Sequence, residues 1–357
     1  MGPENEARVG VDPGVACHDG TVGAQVPAAP ESRAAEGRKG VSLHWKRMAV
    51  SMILGLAAGV AVILLFNPHV DDDVETAVTA TQAPGFLVLA LVALAVMLIA
   101  DAWSLLILTR IIRPDVPWWR VVGVAFEAHL VGGATSFGGI EIPYQVVVLR
   151  SLGLTVSQAT STVMVKGVIH TTVLVFAALV AFIPVAGSPI TTLQRWILLG
   201  VLGLILVGWV IGTLWVRRPL GMSLLPAAAR RRVASFADAL REFRQMGWEV
   251  LAKVTAAQLV YWVCMFSLIP LVLLALGYRG RLVPIAVGQA VLQVLMPLSP
   301  LPGGAGVAEV GYLELIGRMI PGDIRVASLI MWRVLTWLIP LALGALAMGL
   351  RGVKRHE

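Results

Sequence analysis

Charged side chains are scarce in this sequence. Asp, Glu, Lys and Arg make up 14% of the 357 residues, whereas 57% are hydrophobic. A soluble chain normally carries about a quarter charged residues, so a soluble enzyme and a nucleic-acid reader are excluded, despite a net charge of +7. An outer-membrane barrel is excluded as well, because barrel strands alternate polar and apolar residues and the apolar runs of this chain do not.

Cysteine is equally rare. The chain has two cysteines, Cys17 in a polar stretch and Cys264 in an apolar run, so it has neither a disulfide framework nor a zinc-type spacing. It also lacks an ATPase motif and a loop that carries a nucleophile or a cluster of metal-binding carboxylates. We therefore expect no cofactor and no metal, and we expect that the protein is not an enzyme.

The sequence is rich in apolar runs near 20 residues long, the length with which an α-helix crosses a bilayer. They predict an all-α integral membrane protein with about six full transmembrane helices. The predicted spans are residues 48–66, 85–108, 157–184, 195–216, 252–277 and 325–349.

The regions outside the spans differ in composition. Residues 1–43 are rich in Gly, Pro, Ala and Glu without apolar periodicity, which predicts a disordered cytoplasmic tail. Residues 44–350 form the predicted polytopic membrane domain, and residues 351–357 a short basic cytoplasmic tail. This topology places seventeen arginines and lysines on the inner side and five on the outer side, as the positive-inside rule requires, so both termini are predicted to be cytoplasmic.

Two further apolar segments, about 121–149 and 284–317, are interrupted by glycine and proline. Each is long enough to enter the bilayer and return, so we predict two re-entrant hairpins, whose irregular backbone must be surrounded by protein or by a watery cavity. The two pseudo-halves, about 44–188 and 189–350, then begin on opposite sides of the membrane, which indicates a possible inverted repeat of the kind found in transporters.

The first hairpin carries candidate site residues around its break. Gly138 and Gly139 allow the backbone to unwind, and Glu141 follows directly. Exposed amides beside Thr135 and Ser136 could hold a phosphate oxygen or an ion. A carboxylate at Glu141 could take part in this site, or it could simply cap its own half-helix.

The second hairpin has the same character. This hairpin is interrupted by Pro302, Gly303, Gly304 and Gly306. A second half-helix then runs through Glu309. The amino end of that half-helix offers free amides and a positive dipole, which suit a phosphate group. Glu309 could accept a proton, pair with a basic headgroup, or only cap the helix.

Basic residues inside predicted spans are costly unless they are paired or wetted. Lys166 and His170 are four residues apart and share one helix face, and Arg333 lies within the last span. We expect Arg333 to pair with Glu309 or Glu141, and Lys166 with another carboxylate. The alternative is that these pairs only lock the bundle. For Asp101 the simpler interpretation is that its side chain snorkels to water at the nearby cytoplasmic side.

The segments PLSPLPGGAGVAEVGYLELIG and LIMWRVLTWLIPLALG resemble the lysylphosphatidylglycerol synthase transmembrane-region family, and the resemblance covers about residues 45–350. The earlier segment TSFGGIEIPYQVVVLRSLG is similar to the family's first glycine motif. The resemblance carries over residue by residue to Pro302, Gly303, Gly304, Gly306, Glu309 and Arg333 in the late motif, and to Gly138, Gly139, Glu141 and Arg150 in the early one.

The resemblance implies a flippase-like protein of the bacterial cytoplasmic membrane that translocates a lipid, and it does not imply lipid synthesis. The lipid would be a phospholipid, an aminoacylated phospholipid or a polyprenyl phosphate. Members often carry an acidic–arginine pair where this chain has Val165 and Lys166, which puts the substrate in question. Expected partners are membrane lipids with anionic headgroups, and a second copy or an envelope-synthesis protein are further possibilities. A membrane enzyme or accessory subunit for lipid-linked substrates in glycolipid or envelope assembly is the alternative function, and a scaffold is a third.

Overall fold

The computed structural model describes residues 81–135, 140–182 and 247–353, together with the isolated positions 200, 203 and 207. Throughout these ranges the regular secondary structure is helical. The predicted spans 48–66 and 195–216 and the predicted tail 1–43 are not covered by these ranges, and the same holds for Gly138 and Gly139. In chain order the helices are α1 Pro84–Ile112, α2 Trp118–Gly133, α3 Glu141–Ser151, α4 Val156–Phe182, α5 Trp248–Ala275, α6 Leu282–Leu295, α7 Val307–Leu315, α8 Gly322–Arg333 and α9 Ile339–Val353.

Four helical stretches of the described chain are long and apolar enough to cross a membrane. They are α1, α4, α5 and the continuous stretch made of α8, a π-helical turn at Val334–Leu338, and α9. These stretches correspond to the predicted spans 85–108, 157–184, 252–277 and 325–349. Their outer faces expose large apolar side chains, such as Val263 at 67% and Ile99 at 60%, as a lipid-facing surface requires.

Two pairs of short helices lie in the segments for which the sequence predicts hairpins. Helix α2 has 16 residues and is therefore about 24 Å long, less than the roughly 30 Å of a bilayer core. After a break it folds back into α3, and α6 folds back into α7 in the same way. The second break contains Gly303 and Gly304 with φ of 62° and 72°, a left-handed conformation that strongly favours glycine.

Helices α1 and α5 pack along each other and run antiparallel, since the Gln82 amide at the start of α1 donates to the Ala275 carbonyl at the end of α5. We call the end of the bundle where α1 finishes the basic end, because Arg110, Arg113, Arg120 and Arg150 lie there. The pair α2–α3 extends inward from this end, and α6–α7 extends inward from the opposite end. The second break lies against the first pair, since the turn Pro302–Gly304 packs against α2.

Helices α2 and α9 come unusually close at Gly344. A Cβ atom at this position would lie 2.5 Å from the Phe126 carbonyl oxygen and 2.7 Å from Leu130 Cβ. We expect Gly344→Ala to destabilise the protein by roughly 1–3 kcal/mol, because overpacking forces backbone to move. Thermal unfolding in detergent measures the effect. Gly349→Ala on the same helix is the control, because a Cβ there meets nothing within 4 Å, and equal behaviour of the two variants would contradict the close packing.

Candidate functional site

A cavity of about 260 Å³ lies between the second break and the facing ends of α2 and α3. Its walls come from both breaks, from α5 and from the junction of α8 with α9. Polar side chains line much of it, although the bundle around it is apolar. The polar lining residues are His129, Thr135, Glu141, Gln293, Ser299, Arg333 and Thr336.

Arg333 is the central charged group of this cavity. Its Nε lies 2.9 Å from Glu309 Oε1, and its Nη1 donates to the Gly303 carbonyl at 3.0 Å. The guanidinium lies 4.8 Å from the centroid of the Trp337 ring, within the range of a cation–π contact. Its buried Nη2 has no hydrogen-bond partner among the described residues. The predicted pairing of Arg333 with Glu309 is confirmed, and one donor face of the arginine is left unsatisfied.

Glu309 serves two purposes at once. Besides its ion pair with Arg333, its Oε2 accepts a hydrogen bond of 2.7 Å from the Gly306 amide at the start of α7. Gly306 itself has φ of 79°. Of the roles that the sequence left open for Glu309, the capping of its half-helix is therefore present, whereas proton acceptance and pairing with a basic headgroup stay predictions. Pro302 is buried next to this turn.

Trp337 joins the last helix to the first break. Its Nε1 donates to the Gly133 carbonyl at 3.1 Å, at the end of α2. A Cβ on Gly303 would lie 2.2 Å from the same nitrogen, so the ring sits between the two breaks and excludes any larger residue there. Sequence reasoning missed Trp337, although its position four residues after Arg333 places both on one helix face.

Glu141 lies in the first turn of α3 and lines the cavity. Its Oε1 accepts a hydrogen bond of 2.9 Å from Gln145, and the structure shows no ion pair between this carboxylate and a described residue. Among the described residues, the cavity thus has a carboxylate that forms no ion pair and an arginine whose Nη2 has no hydrogen-bond partner.

A second buried charge cluster adjoins the cavity through His129. The Lys166 ammonium lies 2.7 Å and 2.8 Å from the two carboxylate oxygens of Asp101, and His129 Nε2 lies 3.5 Å from Asp101 Oδ2. Asp101 is only 4% exposed, so its interpretation as a snorkelling residue was wrong. The sequence predicted that Lys166 pairs with a carboxylate, and in the structure this carboxylate is Asp101, which lies on a different helix.

Two further candidates lie apart from the cavity. His170 Nδ1 is 2.8 Å from Gln258 Oε1, and Gln258 in turn donates to Ser104, which places His170 in a polar chain between α4, α5 and α1. Arg150 is exposed at the last turn of α3. Neither residue is among those that line the cavity.

The cavity is suited to hold a polar group that carries charge. Arg333 can donate to phosphate oxygens, because the planar guanidinium matches the geometry of such anions. The hydroxyls of Thr135, Ser299 and Thr336 already donate to backbone carbonyls, so toward a bound group they act as acceptors. Glu141 can accept from an ammonium group. Within the described residues no cluster of three or more His, Cys, Asp or Glu side chains could hold a metal ion.

These features define a multi-pass membrane protein in which broken helices enclose a charged internal cavity. The family model of the lysylphosphatidylglycerol synthase TM region matches residues 52–344, and the chain belongs to this family. The chain is also similar to a UPF0104 membrane protein of Archaeoglobus fulgidus, with 26% identity over 134 residues. That match covers 35% of this chain and 40% of the relative, so the chain spans less than half of the length of this curated relative. Family membership supports a lipid-related role at the membrane.

Proposed function

We propose that this protein translocates a phosphate-bearing lipid across a bacterial cytoplasmic membrane, with both termini cytoplasmic. The observation that carries the proposal is Arg333, which lines the cavity between two broken helix pairs and whose buried Nη2 has no hydrogen-bond partner among the described residues. A charge buried at this depth is costly, and Glu309 alone does not use all of its donors. A bound phosphate supplies the missing acceptor.

The mechanism follows from the placement of the breaks. In the proposal the pairs α2–α3 and α6–α7 are re-entrant and approach the midplane from opposite leaflets, as in transporters built on inverted repeats. The headgroup binds between the breaks while the acyl chains stay in the bilayer. Arg333 holds the phosphate, and Glu141 balances a cationic group on the headgroup. Since the sequence has no ATPase motif, transport is passive or driven by protons or by the membrane potential.

The proposal is tested in proteoliposomes that contain labelled phosphatidylglycerol, aminoacylated phosphatidylglycerol or polyprenyl phosphate. The expected result is faster appearance of at least one labelled headgroup in the opposite leaflet than in protein-free liposomes. Protein that is monodisperse and correctly inserted but moves none of the three lipids would overturn the proposal and would favour an accessory subunit for lipid-linked substrates.

Glu141→Gln is expected to discriminate between lipids. Loss of the carboxylate removes a partner for ammonium and leaves the phosphate site intact, so translocation of the aminoacylated lipid should fall about tenfold or more relative to phosphatidylglycerol, since a hydrogen bond to a charged group contributes about 1.5–3 kcal/mol. The two rates are compared in the same vesicles. Glu314→Gln is the control, because Glu314 pairs with Arg318 outside the cavity. An equal decrease for both lipids would assign Glu141 a structural role only.

A further inference from the structure

A second recess lies between α2 and α9 at the basic end, and we call it the α2–α9 groove. It has a volume of about 510 Å³ and is lined mostly by apolar groups. Its apolar walls are formed by Trp119 and Phe126 of α2, Leu152 after α3 and Leu350 of α9. Trp119 is 45% exposed and Leu350 59% exposed, so the groove opens to the surroundings of the bundle.

Two arginines give this groove a positive charge. Arg120 lies 5.1 Å from the centroid of the Trp119 ring, at the start of α2, and no ion pair with a described residue holds it. Arg351 approaches from the end of α9, and its Nη1 lies 2.8 Å from Glu127 Oε2. Of the charged residues that line the groove, two are therefore positive and one is negative, and the negative one is already paired.

The arginine at the end of α9 is held in place by two other helices. Tyr144 of α3 donates to Glu127 of α2 at 2.6 Å, and Arg351 Nη2 donates to the Tyr144 hydroxyl at 3.1 Å. Glu127 is 1% exposed, whereas the Arg351 side chain is 35% exposed. The buried carboxylate and the phenol thus orient a guanidinium that keeps part of its surface open to the groove.

The groove is separate from the cavity at Arg333. Between them α2 and α9 are in direct contact, with Gly344 against Phe126 and Leu130, and a small apolar cluster that includes Leu130, Trp337 and Leu341 fills the space nearer to the cavity. The two recesses have no lining residue in common. A ligand in the groove is therefore bound at a second site.

We propose that the α2–α9 groove binds one anionic glycerophospholipid of the leaflet at the basic end, with its phosphate between Arg120 and Arg351 and an acyl chain along Phe126 and Leu350. An apolar channel that ends in two arginines beside an interfacial tryptophan matches an amphiphile with an anionic head. A zwitterionic lipid places an ammonium group near the same two guanidinium groups and binds more weakly. The bound lipid bridges α2 and α9, and it is not the lipid that is translocated.

The test measures thermal unfolding of the detergent-solubilised full chain with added phosphatidylglycerol or with phosphatidylcholine of identical acyl chains. Phosphatidylglycerol is expected to raise the unfolding temperature by about 2–4 °C more than phosphatidylcholine, since a ligand bound to the folded state stabilises it. Arg120→Gln should remove most of that difference. The matched control is Arg110→Gln, an exposed arginine of the same end that does not line the groove, and it should keep the difference.

Three outcomes would each overturn the proposal. Phosphatidylcholine could stabilise the protein as well as phosphatidylglycerol, the variants at Arg120 and Arg110 could behave alike, or soluble glycerol phosphate without acyl chains could reproduce the effect, which would indicate a site for free phosphate. Arg120 is exposed and does not pair with the buried Glu127, so its substitution does not threaten folding as that of Arg351 does. The assay needs no transport, so its result and that of the translocation assay are independent.

Discussion

Replacing Arg333 by glutamine is expected to slow lipid translocation by about 10- to 100-fold. The guanidinium contacts Glu309 and the Gly303 carbonyl, and its buried Nη2 has no hydrogen-bond partner among the described residues. A hydrogen bond to a charged group contributes about 1.5–3 kcal/mol, and each 1.4 kcal/mol corresponds to a factor of ten in rate. The rate is measured in proteoliposomes with the lipid that the wild-type protein moves.

The single variant also leaves the Glu309 carboxylate without its partner, which by itself can destabilise the fold. The double variant Arg333→Gln with Glu309→Gln removes both charges and separates the two effects. If Arg333 binds the headgroup, the double variant unfolds at nearly the wild-type temperature and still fails to translocate. Recovery of translocation in the double variant would show that the pair is only structural. Arg318→Gln, at an exposed pair with Glu314, should leave the rate unchanged.

Lys166→Met is expected to be the most destabilising single substitution among the buried charges. Lys166 and Asp101 have side-chain exposures of 7% and 6%, so the substitution strands a carboxylate in the interior, and removal of one partner from a buried pair costs about 3–5 kcal/mol. The double variant Lys166→Met with Asp101→Asn should recover most of this loss. The unfolding free energy in detergent measures both.

Lys253→Met is the matched control for this cycle, because Lys253 is exposed at the start of α5. If the single and double variants at the buried pair are equally unstable, Lys166 stabilises the bundle through packing and not through Asp101. If Lys166→Met, the double variant and Lys253→Met all unfold like the wild type, water reaches the pair and the charges are not buried.

The long helices and the two broken pairs could be predicted because they depend on local properties of the chain. A run of about 20 apolar residues identifies a spanning helix, and glycine and proline mark where the ladder of backbone hydrogen bonds fails. The pairing of Arg333 with Glu309 was predicted for a similar reason, since few carboxylates of the chain are available at that depth and burial requires a partner.

The misinterpretation of Asp101 shows what local reasoning omits. From the sequence, its distance from the helix end allowed an escape to water, but α1 is covered on that side by the helices that carry Lys166 and His129. The contact between Trp337 and Gly133 likewise joins residues that are 204 positions apart. Such pairings are set by how the helices pack, which hydrophobic periodicity does not encode.

The π-helical turn at Val334–Leu338 interrupts the α-helical hydrogen bonding of the last spanning helix between α8 and α9. Its carbonyl at Val334 accepts from the Ile339 amide, one residue further along than in an α-helix. Since each α-helical residue turns the chain by about 100° and advances it by 1.5 Å, conversion of this turn to α geometry would rotate α9 by about that angle relative to α8. Arg333 and Arg351 lie on opposite sides of this turn. The π-helical turn is thus the position in the last helix where a change of backbone hydrogen bonding would rotate Arg351 relative to Arg333.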